Sequence, residues 1–230
     1  MKTMLFFALV LTVVLTVVLT PPVEGATSDR AVRVSVAGDS LALGIGASDS
    51  SRGFAFDLFR RIDSERPGSE VTNLAIGGTT AVDVERLEVP RLTATHPDVV
   101  LLEVGANDAV RRRSSTSFAR DFASLVRALR HAVPRATVIV FNVPDVAVSP
   151  IFENAAKPKL RKLVGDYNRT VRTVAGGIGA PIVDLYAISD RARSNVDRFF
   201  SADLFHPSDA GHEAIAAAAW PIVRRSISAR

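Results

Sequence analysis

Five short apolar runs, separated by segments of helical periodicity, predict an α/β fold: a parallel sheet with helices on both faces. Two further observations support it. The runs are short and bounded by glycine, proline or polar turn residues, as buried strands are. Three of them end at glycine-bearing turns, and the ends of parallel strands point the same way. Ser40, Gly78 and Asn107 therefore collect at one edge of the sheet.

The elements follow in order. Ala31 to Ala37 reads as the first strand and runs into Gly38-Asp39-Ser40-Leu41. Phe54, Leu58, Phe59 and Ile62 recur at helical spacing, and Pro67-Gly68 closes that helix. Val71 to Ile76 reads as a second strand ending at Gly77-Gly78. Thr79 or Thr80 caps a helix through Asp83, Arg86 and Leu87, bent or ended near Pro90. Asp98 to Val104 is the clearest buried strand and ends at Gly105. Phe118, Phe122, Leu125, Val126 and Leu129 form one stripe of a helix that stops before Pro134. Ala136 to Phe141 is a fourth strand, followed by a proline-bounded loop over Asn142 to Pro150. Lys157 to Ala175 reads as a helix ended by Gly176-Gly177, and Pro181 to Leu185 as a short fifth strand. Ser189 to Asp203 is a polar stretch, and Ser208 to about Ser226 a final alanine-rich helix. No repeat, second core or linker divides residues 27–230, which read as one domain.

Composition narrows the function. The 230 residues are 47% hydrophobic and 23% charged, enough for one sizeable core. Net charge is +4, yet arginines and acids are interleaved. The tightest cluster, Arg111-Arg112-Arg113, has no neighbouring aromatics to stack bases, so it reads as a solvated face and not a nucleic-acid site. The absence of cysteine excludes disulfides, thiolate catalysis and Cys-ligated metals. At the N-terminus, Lys2, the apolar run Met4 to Thr20 and small residues near Gly25 read as an export signal over residues 1–25. Cleavage after Gly25 places Val23 three positions back; cleavage after Ala26 would place Glu24 there. An uncleaved membrane anchor is the alternative, because the run approaches the length of a span. Lys2 stays cytoplasmic either way, which puts the domain outside the cell, secreted or attached to the envelope.

Ser40 is a weak nucleophile unless a base takes its proton. Of the four histidines, His96 precedes Pro97 and the third strand, at the opposite edge. His131 sits in the last turn of a helix, where positive charge suits the dipole. His212 lies near the start of the terminal helix and reads as a surface or packing residue. His206 follows Asp203 by three on the loop entering that helix, so Asp203 can hold one ring nitrogen while the other faces the serine.

These residues resemble the SGNH (GDSL) hydrolases. Gly38-Asp39-Ser40-Leu41 is similar to the first block of that family, and Asn73-Leu74-Ala75-Ile76-Gly77-Gly78 to the second, with Ala75 where many members have glycine. Gly105-Ala106-Asn107-Asp108 is similar to the third block and Asp203-Leu204-Phe205-His206 to the fifth. Four blocks in family order span residues 38 to 206. The resemblance implies a three-layer α/β/α sandwich with a parallel sheet of about five strands, and ester or thioester hydrolysis without metal or organic cofactor. It implies Ser40 as nucleophile, His206 as base and Asp203 as its orienting acid. The oxyanion hole would be the N–H groups of Ser40 and Gly78 and the amide of Asn107. Asp39 and Asp108 read as scaffold residues.

Other sites fare worse. No G-x-S-x-G occurs; the glycines at 38, 44 and 46 complete neither G-x-G-x-x-G nor G-K-[ST]; and Asp203, His206 and His212 match no familiar metal-ligand spacing. Phe199, Phe200, Leu204 and Phe205 flank the Asp/His pair, and Val146, Val148, Ile151 and Phe152 follow the fourth strand. They favour an apolar ester, simple or lipid, over an acetylated carbohydrate. An exported α/β domain that binds a ligand without turnover is the remaining alternative.

Overall fold

The apolar runs become a five-stranded parallel sheet in the computed structural model, which describes residues 30–228. The strands are β1 (Arg33–Gly38), β2 (Glu70–Asn73), β3 (Val99–Glu103), β4 (Thr137–Phe141) and β5 (Ile182–Val183), in the order β2-β1-β3-β4-β5. The segment read as an export signal lies outside the described residues.

Ten helices accompany the sheet among the described residues. The first five are α1 (Ser40–Leu43), α2 (Phe54–Glu65), α3 (Ala81–Leu87), α4 (Val89–Thr95) and α5 (Ala106–Val110). They are followed by α6 (Ser115–Ala132), α7 (Lys157–Gly177), α8 (Leu185–Arg193), α9 (Val196–Phe199) and α10 (Asp209–Ser228).

Strand parity divides the core in two. Val34, Val36, Val99, Leu101, Ile139 and Phe141 pack with residues of α2 and α10 on one face. Ala37, Val100, Leu102, Val138 and Val140 pack with α3, α4, α6 and α7 on the other. Alternate side chains point to opposite faces, and both faces are covered, so the strands are apolar throughout. The result is a three-layer α/β/α sandwich. Its topology reverses between β1 and β3, because the chain first adds β2 on one side of β1 and then crosses to the other. A crevice opens at such a switch point outside the carboxyl ends of the strands. The residues that leave β1 and β3 there are Ser40 and Asn107.

Local chemistry sets the boundaries. Thr80 and Asp83 form a capping box at the start of α3, with the Asp83 carboxylate 3.1 Å from the Thr80 N–H; such a cap contributes about 1 kcal/mol. Pro90 stands in the first turn of α4, where its missing N–H is tolerated, so the helix breaks at Glu88 and restarts. The second strand is shorter than its sequence reading, although the Leu74 and Ile76 N–H groups still donate to Val36 and Gly38. Helix α7 runs through Gly176 to Gly177, two residues beyond the expected last residue, Ala175. The stretch from Ser189 to Asp203 contains the end of α8 and all of α9 and is not simply polar loop. Short helices with arginines on their outer faces hide from periodicity arguments.

Candidate active site

Gly38 has φ +154°, and its N–H donates to the carboxyl of Glu88 at 2.7 Å. A Cβ there would lie 2.0 Å from the backbone oxygen of Glu103, so only glycine lets β1 pass β3 this closely before the turn. Asp39 then caps α1, its carboxylate accepting the Leu41 N–H at 2.9 Å. Ser40 follows as the first residue of that short helix, at the sheet edge.

The loop from Phe200 to Pro207 brings the base. Phe200 and Pro207 pair as an antiparallel bridge, the Ser201 N–H donates to the His206 carbonyl at 2.9 Å, and Leu204 adopts a left-handed φ of +58°. The Ser149 hydroxyl anchors the Leu204 carbonyl at 2.7 Å. On the inner side the loop rests on Gly46 (φ +95°), where a Cβ would come within 2.7 Å of the His206 Cβ. The glycine that fits no nucleotide motif is therefore a seat for the histidine. His206 Nε2 lies 2.9 Å from Ser40 Oγ, and Nδ1 lies 2.6 Å from Asp203 Oδ2.

Asp203 is well supplied with donors. Its Oδ1 accepts the N–H groups of Phe205 (2.9 Å) and His206 (2.8 Å) and the Ser201 hydroxyl (2.8 Å). Partial burial alone would raise this carboxyl. The bonds from His206, the two N–H groups and Ser201 win, and hold it well below the usual carboxylate range. These bonds favour the anionic form of Asp203, the form that stabilises an imidazolium.

The expected oxyanion residues reach the same edge in different states. A side chain added at Gly77 would stand 3.9 Å from the Ser40 Cβ, so the loop through Gly77-Gly78 lies beside the serine. Arg111 fixes that loop by donating to the Gly78 carbonyl at 2.8 Å. Ala75, the departure within this block, is buried, and its N–H donates to Asn73 Oδ1 at 3.0 Å. Asn107 is held next to the serine, but its amide nitrogen donates to Asp39 Oδ2 (3.0 Å) and to the Thr79 carbonyl (3.1 Å). In this structure it is an engaged donor. The physical reason is Asp39, a buried carboxylate that needs donors.

The other histidines lie elsewhere. His96 ends α4 at the opposite sheet edge, and His131 is in the last turn of α6. His212 is fully buried. It accepts the Phe54 N–H on Nδ1 at 3.2 Å and donates from Nε2 to the Ile45 carbonyl at 3.1 Å, with burial lowering its pKa. It caps α2, whose own cap residue Gly53 has no side chain. Asp108, also buried, accepts the Ala81 N–H at 3.0 Å and so ties α5 to the start of α3. Burial pushes its carboxyl up to about 6 against the lowering effect of that bond and of Arg113.

A cleft adjoins Ser40 and His206. Phe199, Phe200, Phe205, Val146 and Val148 line it, as their positions in the sequence led us to expect. Ile151 and Leu204 instead face solvent, and Phe152 packs edge-on against Phe205 outside the cleft. Leu185, Ile188 and Ala192 of α8 and Ile215 of α10 also line it, with Asp145, Ser149, Ser189 and Arg191 as polar groups on the wall.

Sequence reasoning missed two buried carboxyl groups under the site. Glu88 lies at the α3–α4 junction and Glu103 at the end of β3. The available signal was a glutamate closing the otherwise apolar run Val99 to Glu103. Burial, opposed by the Gly38 N–H and reinforced by the Asp39 charge, raises Glu88 to about 8. A carboxyl raised on folding contributes most below its unfolded pKa, and that contribution is lost as pH climbs from about 4.5 towards about 8. Glu88→Gln keeps an acceptor for Gly38 but cannot ionise. Its unfolding free energy, relative to wild type, should therefore rise by about 2–3 kcal/mol between mildly acidic and mildly alkaline buffer. Urea unfolding at the two pH values measures this, and an unchanged difference would refute it.

The family model described as the GDSL-like Lipase/Acylhydrolase family matches residues 36–214. Among curated proteins the chain is 29% identical over 189 residues to the GDSL-like esterase Rv1075c of Mycobacterium tuberculosis, covering 77% of this chain and 57% of that protein. It is 26% identical over 145 residues to the isoamyl acetate-hydrolyzing esterase 1 homolog of Bos taurus, covering 57% and 58%. The chain thus spans less than two thirds of the length of these relatives. Its fold is similar to that of the psychrotrophic esterase EstA from Pseudoalteromonas sp., with a TM-score of 0.67 at 19% identity over 84% of this chain and 97% of that one. With the sandwich, the switch-point serine and a family match over most of its length, the chain belongs to the GDSL-like lipase/acylhydrolase family.

Proposed function

We propose that the protein is a serine hydrolase of apolar carboxylic esters, acting through an acyl-enzyme on Ser40. The observation that carries this reading is the continuous hydrogen-bonded path from Ser40 Oγ through His206 to Asp203, opening on an apolar cleft. Ser40 Oγ attacks the ester carbonyl while His206 Nε2 takes its proton; the anionic Asp203 stabilises the imidazolium and fixes its tautomer. The same proton then passes to the departing alcohol oxygen. Water, deprotonated by His206, attacks the acyl carbon and releases the acid. The N–H groups of Ser40 and Gly78 meet the oxyanion. Asn107 adds a third donor by turning one N–H from Thr79 or Asp39; one such donor is worth about 3–4 kcal/mol in the transition state.

The walls from Val146, Val148, α8 and Phe200 favour an aliphatic acyl chain, from a simple or lipid ester, over an acetylated sugar. Lys2 and the apolar run from Met4 to Thr20 support action outside the cytoplasm, in secreted form or at the envelope membrane. Hydrolysis of p-nitrophenyl esters of increasing chain length tests the substrate reading. The expected kcat/KM peaks between butanoate and octanoate and is insensitive to chelators. A maximum at acetate with a steep fall beyond it would favour the carbohydrate deacetylase, and no hydrolysis above background would leave a binding domain.

A further inference from the structure

Glu103 closes β3 with the parity of Val99 and Leu101, which directs its side chain to the layer of α1 and α2. It is 1% exposed, and neither carboxyl oxygen receives a well-formed hydrogen bond from an N–H or O–H donor. It faces the Asp39 carboxyl, which is equally buried, and the N–H groups of Asp39 and Ala42. Two carboxylates are acceptors only, so contact between them requires a proton, and two buried like charges in contact do not coexist. Asp39 already accepts Leu41 N–H on one oxygen and Asn107 on the other. Glu103 has no such support, so the proton resides on Glu103.

We propose that Glu103 is a positioning residue. As a neutral carboxylic acid it donates to Asp39, and so fixes the carboxylate that holds Asn107 and the turn bearing Ser40. This role rests on the reading of Ser40 as nucleophile. Burial, the Asp39 charge and the bond between them keep Glu103 well above the usual carboxylate range. The groups facing the pair agree with one negative charge on Asp39. Burial raises Asp39 as well, but the Leu41 N–H, Glu103, the charge of a protonated His206 and Asn107 of α5 all favour its ionised form. Glu88, from the α3–α4 junction, lies across Gly38 and has Arg91 near it. As pH rises, ionisation of Glu103 sets two charges against each other and displaces Asp39, so kcat falls on the alkaline side. Ionisation of Glu88 adds to that fall, which Glu88→Gln separates.

The test measures p-nitrophenyl butanoate hydrolysis against pH, thermal melting and infrared spectra for wild type, Glu103→Gln, Glu103→Leu, Glu88→Gln and Ser40→Ala. The Gln side chain still donates to Asp39, so Glu103→Gln keeps kcat within about threefold and loses part of the alkaline decline. Folded Glu103→Leu loses about tenfold or more in kcat with KM within about twofold. Near neutral pH the protonated-carboxyl stretching band of wild type holds contributions from Glu88 and Glu103, so Glu103→Gln loses the part of the band that Glu88→Gln retains. Wild-type kcat in folded Glu103→Leu, or a Gln variant as impaired as the Leu one, overturns the proposal. If Glu103→Leu does not fold, an alkaline limb in Glu103→Gln identical to wild type overturns it. Wild-type hydrolysis no faster than that of Ser40→Ala overturns the reading of the site and this role with it; the infrared band still reports, independently, where the proton sits.

Discussion

Ser40→Ala and His206→Ala each lower kcat for an ester substrate by about a hundred thousand-fold to a million-fold, and the double variant loses no more than either one. The non-additivity follows from the geometry. Among the described residues the base hydrogen-bonded to Ser40 Oγ is His206 Nε2, at 2.9 Å, so removing either member removes the same step. Asp203→Asn should cost about ten thousand-fold, through the tautomer. Three donors converge on Asp203 Oδ1, so the asparagine carbonyl takes that place and its NH2 faces His206 Nδ1. That nitrogen must then accept, which puts the ring proton on Nε2, where it cannot receive one from Ser40. Steady-state kinetics on purified variants with matched melting temperatures checks all three. A Ser40→Ala enzyme retaining about a tenth of wild-type kcat would sink the acyl-enzyme mechanism, since water and the oxyanion donors alone supply far less.

What could be read from the chain beforehand divides along a physical line. Elements defined by local chemistry were legible: the strand ends at Gly38 and Gly105, a threonine cap at Thr79 or Thr80, which the structure places at Thr80, and the three-residue interval that lets Asp203 reach His206 around a tight loop. Features decided by tertiary contact were not. Leu185, Ile188 and Ala192 recur at helical spacing, but Leu185 reads as the end of the fifth strand, and Asp190, Arg191 and Arg193 make the stretch from Ser189 read as polar. Only the sheet edge beneath it shows that its apolar stripe is a cleft wall. Glu103 falls inside the run Asp98 to Val104 that reads as the clearest buried strand, but which groups its carboxyl meets there depends on parity and the close passage of β1. His212 was read as surface or packing. Its actual task, accepting the Phe54 N–H, depends on Gly53 being unable to cap α2 from a position far away in the chain.

The same glycine-to-alanine change should have opposite signs at two positions, which tests how the nucleophile is held. Gly38→Ala places a methyl 2.0 Å from the Glu103 carbonyl oxygen and 3.0 Å from the Ala42 Cβ, at a φ of +154°. The obstacle is backbone of the central strand β3, fixed by β1 and β4 on either side, and cannot swing away as a flexible side chain could. Relief requires moving β1 or β3, which breaks the Gly38 N–H bond to Glu88 and shifts Ser40 from His206. Overpacking of this kind with backbone strain costs more than about 4 kcal/mol, equivalent to a fall of roughly 8–16 °C in melting temperature for a domain of this size. Gly165→Ala, inside α7 with nothing within 4 Å of the new methyl, should instead stabilise by about 1 kcal/mol through helix propensity. Thermal melts followed by circular dichroism compare the two. A Gly38→Ala protein melting within about 2 °C of wild type would mean that β1 and β3 can part without penalty. The close crossing at Gly38 would then have no part in aligning Ser40. If the melt falls as expected while any remaining folded fraction is inactive, the packing of two strand backbones and the reach of one hydroxyl to its base are a single constraint.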